Sequence, residues 1–174
     1  MQGSPRVQPI AWLFLALAAS CGFACAPGER VPAHDVAVRV ERVGLDANDM
    51  PVVLLEEKGG SRWLAIWIGT AEAQSIAISI EELASPRPNS HDLARSVIDQ
   101  LHGKLERVVV TDLRDSTYYA TLTIRSGNRD VEIDARPSDA IAIALRTGAP
   151  IYVRDHLFEH SGPADAEDIP APSI

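Results

Sequence analysis

Two stretches of the chain set an arginine before a proline, a serine and an aspartate at the head of an amphipathic run. They are RPNSHDLA, Arg87 to Ala94, and ARPSDAIA, Ala135 to Ala142. An arginine beside the free backbone amides of a helix start is the raw material of an anion site, and phosphate is the anion most often held in this way. Arg87, Ser90, Arg136 and Ser138 are therefore the candidate binding residues. The same residues also fit two well-capped helices whose arginines pair with nearby carboxylates such as Asp134 or Glu132, because arginine–carboxylate pairing is common in folded proteins. Residue types alone leave both readings open.

The elements that must carry these residues follow from spacing. Pro137 suits a first helical position, where its missing N–H costs nothing, and Asp139 suits the positive end of the helix dipole, within reach of the free amides. The helix then packs Ala140, Ile141, Ala144 and Leu145 on one face, and Arg146, Gly148 and Pro150 close it. Arg136 occupies the cap position, where Ser, Thr, Asp or Asn is preferred, so helix grammar does not account for it. In SHDLARSVIDQLHG, Leu93, Ala94, Val97, Ile98 and Leu101 repeat at helical spacing, with Ser90 as the expected cap and Gly103 as the stop. AEAQSIAISIEEL reads as a helix on its alanines and acids, although Ile76, Ile78 and Ile80 alternate as in a strand.

Strands flank these helices. Val36, Val38 and Val40 alternate, and VVLLEEKGGSRWLAIWI gives two apolar runs around Gly59-Gly60, a hairpin pattern. RVVVTDL, YYATLTI and DVEID, separated by the turn sequences RDST and SGNR, form an antiparallel meander. Helices inserted among antiparallel strands predict an α+β fold, a single compact domain over residues 35–160.

Outside that domain, Arg6 and the apolar run Ile10 to Ala19 resemble a signal peptide over residues 1–25, too short for an easy membrane span. The sequence AASC makes Cys21 the expected lipidation site and a membrane anchor, with plain cleavage near Ala24 to Ala26 as the alternative. The expected location is outside the cytoplasm, in the cell envelope, periplasm or extracellular space. Residues 26–34 read as a tether, and 161–174 as an acidic, proline-rich tail without enough apolar area to order itself. No cysteine follows Cys25, which excludes a disulfide framework or thiolate metal site in the folded part. The net charge of -8 argues against a general polyanion binder, so any contact with nucleic acid has to use a local basic patch.

WIGTAEAQSIA, RPNSHDLARSVI, VVVTDLRDSTYYATL, DARPSDAIAIALRTGAPIYV and RDHLFE, taken in order, resemble successive blocks of the bifunctional nuclease domain. The resemblance spans Val36 to Glu159, and Asp134 to Ala140 is its most specific block. It implies a compact α+β fold, a homodimer and nuclease activity on DNA and RNA, without assigning catalytic residues. Ser90 stands where threonine is usual, which keeps a hydroxyl, and Tyr118 where an aromatic or small residue is common. An export signal is a larger departure, since many relatives lack one.

Cutting a phosphodiester needs a base or a metal-bound water to supply the nucleophile, and positive groups to stabilise charge on phosphorus. The candidate carboxylates are Glu72, Asp92, Asp112, Asp134 and Asp139, and His91 is the best-placed imidazole. Glu72 and Asp92 also fit first helical turns, and Asp112 a turn, without any chemistry. His91 and His102, eleven residues apart on a helix, would stand about 16 Å apart and cannot share a metal. Two function classes follow. One is a phosphodiesterase, assisted by a divalent metal, with Asp134, Asp139 and His91 around an anion site of Arg87, Arg136 and Ser138. The other is an exported anion-binding or protein-interaction module on the same fold, without turnover.

Overall fold

The computed structural model describes residues 34–160. The signal segment, Cys21, nearly all of the tether and the acidic tail lie outside the described residues. The described chain forms β1 (Asp35–Leu45), β2 (Pro51–Glu57), β3 (Trp63–Trp67), α1 (Thr70–Ile80), α2 (Ser90–Gln100), β4 (Gly103–Arg114), β5 (Thr117–Ser126), β6 (Arg129–Ala135), α3 (Pro137–Thr147) and β7 (Ile151–Arg154), then a 3₁₀ turn (Asp155–His160). This is the expected α+β class, and the stretch around Ile76 to Ile80 is helical.

The strands make a single sheet in the order β3-β2-β1-β7-β4-β5-β6. All pairs are antiparallel except β4 with β7. The meander β4-β5-β6 turns first through Asp115 and Ser116, both at positive φ, then at Gly127. Such left-handed residues match the twist of a two-residue hairpin. Helix α3 carries the chain from the edge strand β6 back to β7, which inserts between β1 and β4.

Alternate strand residues, including Val36, Val38, Val53, Leu55, Leu64, Ile66, Val108, Val110, Leu122 and Val153, share one core with Ile76 of α1 and Ala140, Ile141 and Ala144 of α3. Alanine on α3 removes bulk where helix and sheet meet, which lets the axis approach closely. Val52, Leu54 and Ala65, on the opposite face of β2 and β3, form a smaller buried cluster against Trp63.

The sheet is strongly coiled. Flat, it would separate β3 from β5 by about 24 Å, at about 4.8 Å per strand. Yet Ile66, Trp67 and Ile68 line the same cleft as Ser116, Thr117 and Tyr118, together with Arg136 to Ser138. Coiling therefore brings the start of α1, which follows β3, toward the start of α3, which follows β6.

Candidate functional site: a polar line across three helix starts

Helix α3 begins with Arg136 at the cap position and Pro137 inside the first turn, and no side chain caps its free amides. Asp139 does not reach back to them as expected. It is held instead by side chains: Arg136 donates from Nε to Asp139 Oδ2 at 2.6 Å and from Nη2 to Oδ1 at 2.9 Å. The same Nη2 donates to Glu72 Oε1 of α1 at 2.7 Å. This explains the arginine at a cap position. It is paired, as one reading anticipated, but with Glu72 and Asp139 rather than Asp134 or Glu132, and it ties the starts of α1 and α3 together. The two carboxylates, Asp139 foremost, raise the Arg136 guanidinium further above its ordinary pKa. Its side chain remains 66% exposed and its Nη1 makes no hydrogen bond among the described residues.

Helix α2 starts one residue earlier than expected. Asn89 is the cap, not Ser90: its Oδ1 accepts from the backbone N–H of His91 at 2.9 Å and of Asp92 at 3.0 Å. Asp92 Oδ2 accepts in return from the Asn89 N–H at 2.9 Å. This reciprocal box needs an acidic or amide side chain three residues after the cap, a spacing that Asn89 and Asp92 satisfy and Ser90 does not. Ser90 becomes the first helical residue and turns toward the cleft described below.

The box aims His91 inward. Its Nδ1 lies 2.8 Å from Ser75 Oγ of α1 and its Nε2 lies 3.0 Å from Asp139 Oδ1. Ser75 Oγ also accepts from Asn89 Nδ2 at 3.0 Å and from Arg146 Nη2 at 2.9 Å. Two donors occupy both of its lone pairs, so its single O–H must point at His91 Nδ1. The proton on His91 then sits on Nε2 and is donated to Asp139. A serine, a histidine and an aspartate thus stand in a row, but the serine is buried and its oxygen is already held by Asn89 and Arg146. Ser75 is a junction rather than a nucleophile.

Arg146, near the end of α3, completes the knot. Its side chain is 6% exposed and every nitrogen is used. Nε donates to Asp92 Oδ1 at 2.6 Å, Nη1 to the Ala142 carbonyl at 2.9 Å, and Nη2 to the Ser75 carbonyl at 3.2 Å as well as to its hydroxyl. A buried cation is tolerated when its donors are satisfied in this way. The carboxyl of Asp92 is held below its ordinary range by the Asn89 backbone N–H first and Arg146 second. For Asp139, burial pushes the carboxyl up, but hydrogen bonds from Arg136 and His91 together outweigh it, and the group is lowered.

Glu72, Ser75, Asn89, Ser90, His91, Arg136 and Asp139 face a cleft of about 340 Å³ over the starts of the three helices. The candidate anion site is split by the fold. Arg87 lines a neighbouring cleft of about 470 Å³ with Arg95, Asp92 and Arg146. Ser138 is buried and faces the third cleft, beside Trp67 and Tyr118. Asp134 lies on β6 opposite Thr121. Strand alternation sets it on the face away from Ile133 and Ala135, which face α2, and its charge adds a little to the raised Arg114 guanidinium, after Asp112. Asp112 binds Arg114 at 2.6 Å on β4. The structure therefore unites Glu72, His91, Arg136 and Asp139, sets Asp92 and Arg87 beside them, and leaves Asp112, Asp134 and Ser138 apart. Among the described residues no group of three or more His, Cys, Asp or Glu side chains is arranged to hold a metal ion, so no metal-dependent step is derived from them.

A profile described as the bifunctional nuclease domain matches residues 52–165, spanning the cleft and every residue of the knot. The chain belongs to the bifunctional nuclease domain family. It is 42% identical over 127 residues to an uncharacterized protein of Mycobacterium tuberculosis, covering 73% of each chain. It is 25% identical over 138 residues to bifunctional nuclease 1 of Oryza sativa subsp. indica, and 29% identical over 114 residues to bifunctional nuclease 1 of Arabidopsis thaliana. These alignments cover 78% and 64% of this chain but only 42% and 35% of the plant proteins. Family membership supports a nuclease-like function at the level of the family.

Proposed function

We propose that the protein hydrolyses phosphodiester bonds of DNA and RNA in the cleft lined by Glu72, His91, Arg136 and Asp139. The observation that carries this reading is the match of the nuclease family to the segment containing the cleft. Arg136 supplies the positive group: its free Nη1 donates to a phosphoryl oxygen and stabilises charge that builds there. Glu72 or Asp139 accepts a proton from a water that attacks phosphorus, the bond to the leaving oxygen breaks, and that oxygen takes up a proton from solvent. His91 acts through Asp139 as a positioning residue, because both of its ring nitrogens are already bonded. The decisive experiment is a gel assay of the purified protein on single-stranded RNA and DNA, with and without EDTA. Cleavage supports the reading, and binding without cleavage favours the anion-binding module instead.

We further propose export and lipid attachment at Cys21, which rest on the leader sequence alone. No helix of the described residues is long and apolar enough to cross a membrane. Cys21→Ser is expected to move the protein from the membrane fraction to the soluble fraction; a wild type that is already soluble after export overturns lipidation.

The assembled form we propose is a homodimer. The tryptophans of β3 are partly occupied: Trp63 packs against the smaller cluster of Val52, Leu54 and Ala65, and the Trp67 indole N–H donates to Asp46 at 2.9 Å. A larger apolar surface lies elsewhere. Leu93 and Val97 of α2 and Leu101, which caps its end, stand exposed at four-residue spacing, and Leu93 and Val97 line an apolar face with exposed Ile133 of the edge strand β6, on which Val131 is exposed too. Among the described residues β6 pairs only with β5, which leaves its outer edge for a second copy of the same strand.

A further inference from the structure

The two polar clefts are consecutive segments of one groove. Both are lined by Ile78 and Ser85. The first segment opens over the starts of α1, α2 and α3, at Glu72, His91 and Arg136. The second runs on past Ser79 of α1, the loop at Glu82 to Pro88, and Asp92, Arg95 and Ser96 of α2, with Arg146 in its wall. Helix α1 alone, at 11 residues, gives the groove a length of about 16 Å.

Charge is distributed unequally along it. In the first segment Arg136 faces two carboxylates, Glu72 and Asp139, which already bind it. In the second, Arg87, Arg95 and Arg146 face Glu82 and Asp92, and Asp92 is taken by Arg146. Arg87 has no hydrogen-bonded or charged partner for its side chain among the described residues. Arg95 makes one ion pair, to Asp99 at 3.5 Å, with both side chains more than half exposed. Arg39, Arg62, Arg114, Arg125, Arg136, Arg146 and Arg154 sit in ion pairs of 3.0 Å or less, and Arg107, whose pair is as long as that of Arg95, lies outside the groove. In a protein of net charge -8, Arg87 and Arg95 are thus the cations of this groove best placed to receive an anion from outside.

We propose that Arg87 and Arg95 form a second phosphate subsite, which holds a phosphate flanking the scissile one on a single nucleic-acid strand laid along the groove. This rests on the hydrolase reading for its substrate class and adds that the preferred substrate is a strand with at least two phosphates, not an isolated diester.

The test is binding of a short single-stranded oligonucleotide by the full chain, followed by fluorescence anisotropy across a salt series, alongside the gel assay. Arg87→Ala with Arg95→Ala is expected to weaken binding roughly tenfold and to lower the slope of log affinity against log salt by about 0.7, the loss of one phosphate contact to a single strand. Thermal melts should stay at the wild-type value, since both side chains are exposed. Unchanged affinity and slope in a folded double variant overturn the subsite. A wild type that binds the strand without cutting it overturns the hydrolase reading alone, and the variant's affinity and slope still decide the subsite. Wild type that binds no strand overturns the subsite directly.

Discussion

His91 Nε2 and Asp139 Oδ1 lie 3.0 Å apart although 48 residues separate them in the chain. The contact joins the first turn of α2 to the first turn of α3, and Arg136 extends it to Glu72 of α1. Each link satisfies a group that the helices would otherwise leave half-buried and polar, which is costly without a partner. The candidate site and the junction of three helices are therefore one structure.

That junction gives the fold a pH signature. Asp92 and Asp139 are both lowered in the folded protein. A carboxyl with a depressed folded pKa contributes stability that is complete above its unfolded value, near 3.8, and is lost as pH falls through the folded one. Melting temperature is expected to fall on acidification below about pH 4, a range set by carboxylate titration. Asp92→Asn should melt lower than wild type at neutral pH and show a shallower acid decline. An equally steep decline in Asp92→Asn would show that other carboxyls dominate.

Arg146 is the more severe stability test. Arg146→Met takes one donor at once from each of Asp92, the Ser75 carbonyl and the Ser75 hydroxyl. Breaking one side of a buried ion pair costs about 3–5 kcal/mol, and the partial exposure of Asp92 points to the lower end. Urea denaturation reads this directly. A loss below about 1 kcal/mol, the range of a surface pair, would contradict the knot's structural role.

Much of the fold is visible in local sequence and much of the site is not, for a physical reason. Pro137 marks the start of α3 and Gly148, at φ 72, its left-handed end, because both residues act on their own backbone. Alternation in β1 and the turn at Gly59 are equally local. The choice of Asn89 over Ser90 as cap was readable from the spacing to Asp92, but two cap-forming residues in succession hide it. Glu72 and Arg136 are 64 residues apart, and only the coiling of the sheet makes them neighbours. Ser75, Asn89 and Arg146 were missed as site residues because nothing near them in the chain distinguishes a knot from an ordinary helix. Arg146 in particular reads as a cation favoured at a helix end.

The apolar face of α2 and β6 bears on assembly. Light scattering at micromolar concentration should give the mass of a dimer, and Leu93→Glu should give a monomer that melts normally, because Leu93 is 61% exposed. A monomeric wild type removes the homodimer, and a dimeric Leu93→Glu moves the interface away from this face.

The central claim is that Arg136 serves phosphodiester chemistry as well as the helix junction. Cleavage of single-stranded RNA and DNA by wild type and by Arg136→Lys, each with a thermal melt, tests it most directly. Lysine keeps the charge but loses the planar, multi-pronged donor that reaches Glu72, Asp139 and a phosphoryl oxygen together. The expected result is a folded variant with a cleavage rate reduced roughly a hundredfold, the usual cost of losing a donor to developing charge. A folded Arg136→Lys that cuts as fast as wild type would contradict the claim, leaving Arg136 as a clasp between α1 and α3.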